Sequence, residues 1–244
     1  LATTGIIPFV VTYAVFGSLR MGEQIRQEVC YPNLNVKIAC SHGGVTPAND
    51  GASHQSIEDM GVYRTIPNMT VMMPADYYAA KALVKEAANT YGPMYLRFTR
   101  DAVPVIYDEN TKFEIGKAKR LTEGRDVAMI AIGDTVHLAL EAQKELEKAG
   151  ISARVLDMHT LKPLDEKAVL DCVRDIGRII TVEDHNILNG LGSAVCEIAA
   201  EAGDAKVKRV GIQDQFGMSA PYERLLEING ITVEHLVALA KQEW

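Results

Sequence analysis

The 244-residue sequence has no uninterrupted apolar run close to the ~18 residues that a membrane-spanning helix needs. It also shows no basic segment followed by an apolar one, so no secretory signal is visible. A basic surplus is missing too: 25 Lys and Arg stand against 32 Asp and Glu, a net charge of −7, which is not the profile of a nucleic-acid binder. We therefore expect a cytoplasmic protein that uses neither a membrane nor a nucleic acid.

Cysteine is also scarce, with four residues and no C-x-x-C pair. Cys30, Cys40, Cys172 and Cys196 match no zinc-ligand spacing, and without a secretory signal we expect free thiols in a reducing compartment. Hydrophobic residues make up 48% of the chain and charged residues 23%. A chain of this length and composition can bury a core without disulfides or metals, which excludes a disordered protein.

The beginning of the chain suggests a missing segment. The sequence starts at Leu1 without Met, in a Leu-Ala-Thr-Thr-Gly stretch typical of the end of a helix. We therefore expect the first domain to lack its N-terminal part.

Two series of alternating strands and helices are predicted along the chain. In the first, strands are expected at residues 6–13, 35–40, 69–73 and 94–98, with helices at 16–29 and from Asp76 to the Gly92-Pro93 stop. In the second, strands are expected at 127–132, 153–158, 179–183 and 207–212, with helices at 134–149, 165–176, 188–202 and 232–241. Near-continuous apolar strands that alternate with helices predict an α/β protein of two doubly wound domains, with largely parallel sheets covered by helices on both faces. We place the first domain at 1–110, a linker at 111–124 within a weakly patterned stretch, and the second domain at 125–244.

The loop at residues 41–55 is far longer than the usual ~2–6-residue connection after a strand, and loops of this kind are often functional. Its polar residues leave four interpretations open. The loop could be a solvated connection, or His42, Asp50 and His54 could hold a metal although their spacing matches no known site. A Ser53–His54 nucleophile pair is disfavoured, because adjacent side chains of an extended chain point apart. The fourth interpretation is acid–base and hydrogen-bonding work on a polar small molecule, which suits histidine.

Three further features follow predicted strands, where ligands bind in doubly wound sheets. Arg100 could bind a phosphate or carboxylate, or form a surface ion pair with an acid such as Asp101. The stretch 183–192 (EDHNILNGLG) favours a structural or interface role over a phosphate cradle. Tyr13 and Phe16 are either core residues or the walls of a slot for a heteroaromatic ring.

Several of these stretches together resemble the transketolase family. The resemblance is carried by residues 42–45 (HGGV), by 49–55 (NDGASHQ) with its D-G-x-x-H-Q core, and by 64–69 (RTIPNM). Residues 96–100 (LRFTR) are similar to the phosphate-contacting strand end of that family, and 182–185 (VEDH) to a turn of its C-terminal domain. The whole chain corresponds to the pyrimidine-binding domain plus the C-terminal domain.

The resemblance implies a thiamine-diphosphate-dependent transferase that moves a two-carbon ketol unit from a ketose phosphate to an aldose phosphate. Matched residue by residue, His54 is the implied catalytic residue for proton transfer and also contacts substrate. Asp50 is implied to bind a substrate hydroxyl, and His42 and Arg100 the distal phosphate.

The cofactor is implied to be shared between two chains. Tyr13 and Phe16 match the aromatic pocket for the aminopyrimidine ring, with Leu19 where some relatives have a third aromatic. The cofactor-activating glutamate of the family precedes the segment that leads into Leu1, and the ligands of the diphosphate and of Mg²⁺ belong to the other half. The resemblance thus implies a partner N-terminal subunit with the diphosphate-binding domain, homodimerisation and a place in the pentose phosphate pathway. We predict that these 244 residues alone have no transketolase activity.

Other functions stay open at this point. Deoxyxylulose-phosphate synthases usually carry Arg-Tyr-Pro-Arg-Gly where this chain has 97–101 (RFTRD), so a half of such an enzyme is an alternative. The β subunit of a 2-oxoacid dehydrogenase is more distant, because the D-G-x-x-H-Q loop would be unexpected there. A split enzyme for a rarer sugar phosphate and a non-catalytic scaffold subunit are further alternatives.

Overall fold

Strands and helices alternate along the chain in the computed structural model, which describes residues 1–203 and 205–243. The strands of this part are β1 (Phe9–Tyr13), β2 (Lys37–Ser41), β3 (Thr70–Met72), β4 (Met94–Arg97), β5 (Lys119–Thr122), β6 (Val127–Ala131), β7 (Ala153–Asp157), β8 (Thr160–Lys162), β9 (Arg178–Asn186) and β10 (Lys206–Ile212). Its α-helices are α1 (Gly22–Gln24), α2 (Asp59–Thr65), α3 (Tyr77–Asn89), α4 (Val136–Lys148), α5 (Glu166–Asp175), α6 (Leu191–Ala202), α7 (Tyr222–Ile228) and α8 (Val233–Lys241). None of the helices in this part is long and apolar enough to cross a membrane.

The first sheet has the order β1-β2-β4-β3-β8, and its first four strands are parallel. In register, Tyr13 lies opposite Ser41, and Cys40 lies opposite Arg97. The carboxyl ends of β1, β2 and β4 therefore meet at one edge, so the loops that follow these strands are neighbours.

The second sheet has the order β10-β9-β6-β7-β5 and is parallel except for β5, which pairs antiparallel with β7. Two mixed sheets of mostly parallel strands, flanked by helices, confirm the predicted α/β class. The weakly patterned linker predicted at 111–124 is not wholly a connection, because β5 lies within it. β8 also departs from the simple series: it follows β7 in the chain yet pairs antiparallel with β3 of the first sheet.

The helix predicted at 16–29 is irregular. π-helical turns at Phe16–Arg20 and Ile25–Cys30 flank the short α1. Three of the regular helices, α3, α5 and α8, begin at a residue whose side chain accepts an otherwise unpaired backbone N–H, as Asp76 does from Ala79 before α3 and Thr232 does from His235 before α8.

Apolar side chains of both sheets share one core cluster, which includes Ile38 and Tyr95 from the first sheet and Ile130 and Leu156 from the second. A second cluster lies on the other side of the second sheet and takes in Val45 from the long loop. The loop is thus packed against the second half of the chain.

Candidate active site

The long loop after β2 is an ordered structure rather than a solvated connection. The N–H of Gly43 donates to Phe98 O at 3.0 Å, and Gly44 and Ser56 exchange backbone hydrogen bonds of 2.7 and 3.1 Å. His42 turns the chain with φ +65°, a conformation that few non-glycine residues adopt. These bonds close the loop on itself and leave His42 at its rim.

Two buried side chains lie directly beneath this turn. A Cβ atom on Gly43 would overlap the Arg97 side chain, and one on Gly44, at φ +62°, would overlap the carboxylate of Asp184. The Gly43-Gly44 pair is therefore required by close approach, in addition to the left-handed turn.

Arg97 is a fully buried cation that ties the loop to both halves of the chain. Its Nε lies 3.1 Å from Asp59 Oδ2, and Nη2 donates to the carbonyl oxygens of Ser56 and Asp184, both at 2.9 Å. Tyr95 donates its hydroxyl to Asp59 at 2.5 Å. This network supports the site from below, and Arg97 is not available to a ligand.

Four rings come together at the sheet edge: Tyr13 at the end of β1, Phe16 in the π-helical turn that follows, and His42 and His54 in the long loop. The rings of Tyr13 and His42 stack at 3.8 Å between centroids and 16° between planes. His54 meets Phe16 edge-on at 5.5 Å and Tyr13 at 6.1 Å. Tyr13 is 37% exposed and Phe16 is half-buried, so neither is a core residue. The interpretation of these two aromatics as core is therefore wrong.

Each histidine of this cluster is oriented by a serine. His42 Nδ1 lies 2.9 Å from Ser41 Oγ, and His54 Nδ1 lies 3.0 Å from Ser53 Oγ. The expectation that Ser53 and His54 point apart is wrong, because the two residues lie in a turn rather than in an extended strand. Since the same neighbour contact recurs at Ser41, it serves to orient a ring and is no special mark of a nucleophile.

Arg100 and Asp50 form the charged end of the site. Arg100 Nη1 donates to Pro47 O at 2.8 Å and lies 3.2 Å from Asp50 Oδ2. Both side chains are more than a third exposed, so the Arg100 guanidinium has further N–H donors that it does not use in the pair with Asp50. Partial burial and the positive charge of Arg100 lower the pKa of His42, which keeps its imidazole neutral at pH 7.

The structure thus brings together all six residues singled out in the sequence: Tyr13, Phe16, His42, Asp50, His54 and Arg100. Within residues 1–203 and 205–243, no group of three or more His, Cys, Asp or Glu side chains is arranged to hold a metal ion. The arrangement offers imidazoles for proton exchange, a carboxylate that accepts hydrogen bonds and a cation suited to an anionic group.

The Glu183-Asp184-His185 stretch has a structural role in the protein. Glu183 accepts the backbone N–H groups of Leu191 and Gly192, both at 2.7 Å, at the start of α6, and burial raises its pKa to about 7. Asp184 accepts the N–H of Val45 through both oxygens, at 3.1 and 2.9 Å. The sequence favoured a structural or interface role for this stretch, but it did not indicate which loop the stretch contacts.

Family models match nearly the whole chain: residues 1–105 match the transketolase pyrimidine binding domain, and residues 116–236 match the transketolase C-terminal domain. A protein of Methanocaldococcus jannaschii, provisionally named as a transketolase C-terminal section, is 44% identical over 100% of this chain and 77% of its own length. The 6-deoxy-6-sulfo-D-fructose transketolase subunit of Clostridium sp. strain MSTE9 is 39% identical over 99% of this chain and 75% of its own.

A solved structure described as a split gene transketolase, inactive beta4 tetramer, superimposes with a TM-score of 0.92 at 45% identity, covering 98% of this chain and 77% of that one. The predicted resemblance is thereby confirmed. The chain belongs to the transketolase family, a thiamine-diphosphate-dependent family of transferases, and comprises its pyrimidine-binding and C-terminal domains.

Proposed function

We propose that the chain is one subunit of a two-chain transketolase and supplies the sugar side of its active site. The observation that carries this proposal is the cluster of Tyr13, Phe16, His42 and His54 beside the Arg100–Asp50 pair, at one edge of the first sheet. The subunit transfers a two-carbon ketol unit from a ketose phosphate to an aldose phosphate.

The aromatic end of the cluster fits the aminopyrimidine ring of thiamine diphosphate. Tyr13 and Phe16 present partly exposed rings 5.9 Å apart and 14° from parallel, a surface suited to stacking against a flat heteroaromatic group. When bound, the cofactor supplies the nucleophilic carbon that carries the two-carbon unit. His54, edge-on to both rings, is placed to exchange protons with the donor carbonyl and hydroxyls.

The charged end fits the distal anionic group of the sugar. Arg100 donates to that group and His42 adds a neutral donor, while Asp50 accepts a hydrogen bond from a sugar hydroxyl. A sulfonate offers the same oxygens as a phosphate, and one relative is named for a 6-sulfo sugar. We therefore propose a sugar with a terminal anionic group as the substrate class.

The remaining parts of the enzyme are assigned to a second chain. An N-terminal subunit would bind the diphosphate and Mg²⁺, and the assembly would contain more than one copy of each chain. The isolated 244-residue chain is then inactive. We place the enzyme in the cytoplasm and in the pentose phosphate pathway.

Reconstitution tests this proposal. The chain, the N-terminal subunit from the same source, thiamine diphosphate and Mg²⁺ are mixed with ribose 5-phosphate as acceptor and with fructose 6-phosphate, xylulose 5-phosphate or 6-deoxy-6-sulfofructose as donor. Mass spectrometry should detect an acceptor lengthened by two carbons only when both chains are present. Arg100→Ala should raise the KM of the donor about tenfold or more, whereas Arg224→Ala, at an exposed pair with Glu227, should not change it.

Other outcomes would overturn the proposal in distinct ways. Consumption of pyruvate instead of a ketose would indicate a deoxyxylulose-phosphate synthase half. Absence of turnover, together with no thermal stabilisation of the two-chain mixture by thiamine diphosphate, would indicate a scaffold subunit. Turnover by the 244-residue chain alone would contradict the two-chain arrangement.

A further inference from the structure

The C-terminal domain contacts the active-site loop at several residues, among them Gln55, whose Nε2 donates to Met218 O at 3.0 Å, and Val45, three positions after His42. The Val45 side chain is fully buried and packs in the core cluster built around β6, β7 and β9, together with Val182. Its N–H is held by both carboxylate oxygens of Asp184, at 3.1 and 2.9 Å. Val45 of the long loop at residues 41–55 is thus held by the second domain through both its side chain and its backbone.

The loop is built so that this contact can form. Gly44 takes φ +62° and has no Cβ, and a Cβ there would overlap the Asp184 carboxylate. Thr46, on the other side of Val45, bonds its hydroxyl to Gly43 O at 2.6 Å. Val45 therefore lies between a glycine turn and a local hydrogen bond. His42 precedes this segment in the chain, and Pro47, whose carbonyl accepts from Arg100, follows it.

Asp184 is itself held in a defined place. Its backbone oxygen accepts from Arg97 Nη2, and its side chain is 1% exposed. A second buried acid, Asp134, accepts the Tyr222 hydroxyl at 2.6 Å and lies close enough that its charge adds to the effect of burial in raising the pKa of Asp184. Burying the Asp184 carboxyl group costs free energy, which its bifurcated hydrogen bond from the Val45 N–H offsets in part.

We propose that Asp184 is a positioning residue of the active site: by holding Val45, it sets the geometry of the loop that carries His42, Asp50 and His54. The C-terminal domain then contributes to sugar binding without touching the sugar. This inference rests on the proposed function for its catalytic consequence, but the anchoring of the loop can be measured without turnover.

Three variants separate positioning from mere stability. Asp184→Ala removes the acceptor, whereas Asp184→Asn keeps an oxygen that can accept from Val45. Glu183→Gln is the matched control, because Glu183 is the preceding residue, equally buried, and accepts two backbone N–H groups of α6 rather than of the loop.

In the reconstituted two-chain enzyme, Asp184→Ala should raise the KM of the sugar donor about tenfold and leave the Kd of thiamine diphosphate within about twofold. Asp184→Asn should restore the KM to within about threefold of the parent. Glu183→Gln should lower the melting temperature without altering KM. An equal effect of Asp184→Ala and Glu183→Gln on KM would overturn the proposal.

Hydrogen exchange supplies the readout that needs no activity. In the 244-residue chain, the peptide covering residues 43–50 should exchange at least about tenfold faster in Asp184→Ala, and at the parent rate in Glu183→Gln. Faster exchange confined to this peptide supports the anchoring even where the mixture shows no turnover, which would count against the proposed function alone. Unchanged exchange in Asp184→Ala would show that Asp184 does not hold the loop.

Discussion

At the scale of single residues, Arg97 contributes to the stability of the whole fold as well as supporting the active-site loop. It is the residue that pairs the buried carboxylate of Asp59, with both side chains fully buried. We expect Arg97→Met to cost about 3–5 kcal/mol in the free energy of unfolding, because it leaves a buried acid without its cation. Urea unfolding followed by circular dichroism measures this loss.

Two comparisons make the Arg97 test specific. Asp59→Asn combined with Arg97→Met should recover part of the loss, since no unpaired charge then remains. Arg224→Ala breaks a pair whose side chains are mostly exposed and should cost less than about 1 kcal/mol. Equal losses for Arg97→Met and Arg224→Ala would show that the buried pair has no special weight.

Asp157 gives the protein a pH dependence of a particular sign. It is buried at the end of β7, where it accepts the Tyr107 hydroxyl at 2.7 Å, and burial raises its pKa to about 7. The unfolded chain releases this proton near pH 4, so the folded state is penalised as pH rises from about 4 to 7. Asp157→Asn keeps an acceptor for Tyr107 and removes the penalty.

We therefore expect Asp157→Asn to gain stability relative to the parent as pH rises from 5 to 8, in urea titrations at unit intervals. The buried His185, whose pKa is lowered to about 4, changes the folding stability in the opposite direction. The folded protein loses stability through His185 as pH falls below about 6.5. That contribution is common to both proteins and cancels in their difference. Asp108→Asn, at an exposed aspartate, is the control, and a parallel gain there would contradict the role of Asp157.

At the scale of elements, three helix caps differ in what else they hold. Thr232 accepts the N–H of His235, and Asp165 accepts those of Ala168 and Ala118. Asp76 accepts three N–H groups, from Ala79 in α3 and from Ile106 and Tyr107 in the connecting segment. The last two caps therefore join helices to the segment between the sheets.

We expect alanine substitutions to follow the number of these bonds. Thr232→Ala should cost about 1 kcal/mol, as caps ordinarily do, with Asp165→Ala above it and Asp76→Ala highest, at about 2–4 kcal/mol. Urea midpoints of the three variants test the order. Similar losses at all three positions would mean that the bonds to the connecting segment add nothing.

The elements also show what the sequence could reveal. Buried parallel strands such as β6 are uninterrupted apolar runs, so periodicity identifies them without any knowledge of their neighbours. β5 and β8 were not predicted from the sequence because they are short and carry Lys or Arg. Only their pairing with a neighbouring strand makes them strands. α7 was not predicted either, since only its Leu225 and Leu226 are buried.

The site divides in the same way. His42, Asp50 and His54 lie in one contiguous loop after one strand, so local sequence was enough to single them out. Asp184 contacts Val45 across 139 positions, and that contact depends on how the two halves pack. No local pattern records such packing, which is why the sequence predicted for residues 183–192 only an unspecified structural or interface role.

At the scale of the whole molecule, the two halves are joined too closely to unfold separately. β8 enters the first sheet from the second half, one apolar cluster contains side chains of both sheets, and Arg97 bonds to Asp184. Unfolding either half exposes apolar surface of the other half and leaves buried polar groups there without their partners. We therefore expect a single cooperative transition rather than two.

Buried thiols in the two halves report on this directly. Cys40 lies in β2 and Cys172 in α5, and both are fully buried, so neither reacts until its surroundings open. Brief iodoacetamide pulses along a urea gradient, analysed by mass spectrometry, should label both at the same midpoint. Leu236→Ala leaves a cavity at α8 and should cost about 2–5 kcal/mol in the free energy of unfolding. It should shift both midpoints together, although Leu236 lies in the second apolar cluster. A Cys40 midpoint that stays in place while that of Cys172 moves would show two independent units, and the second domain could then unfold without disturbing the sheet that carries the active-site loop.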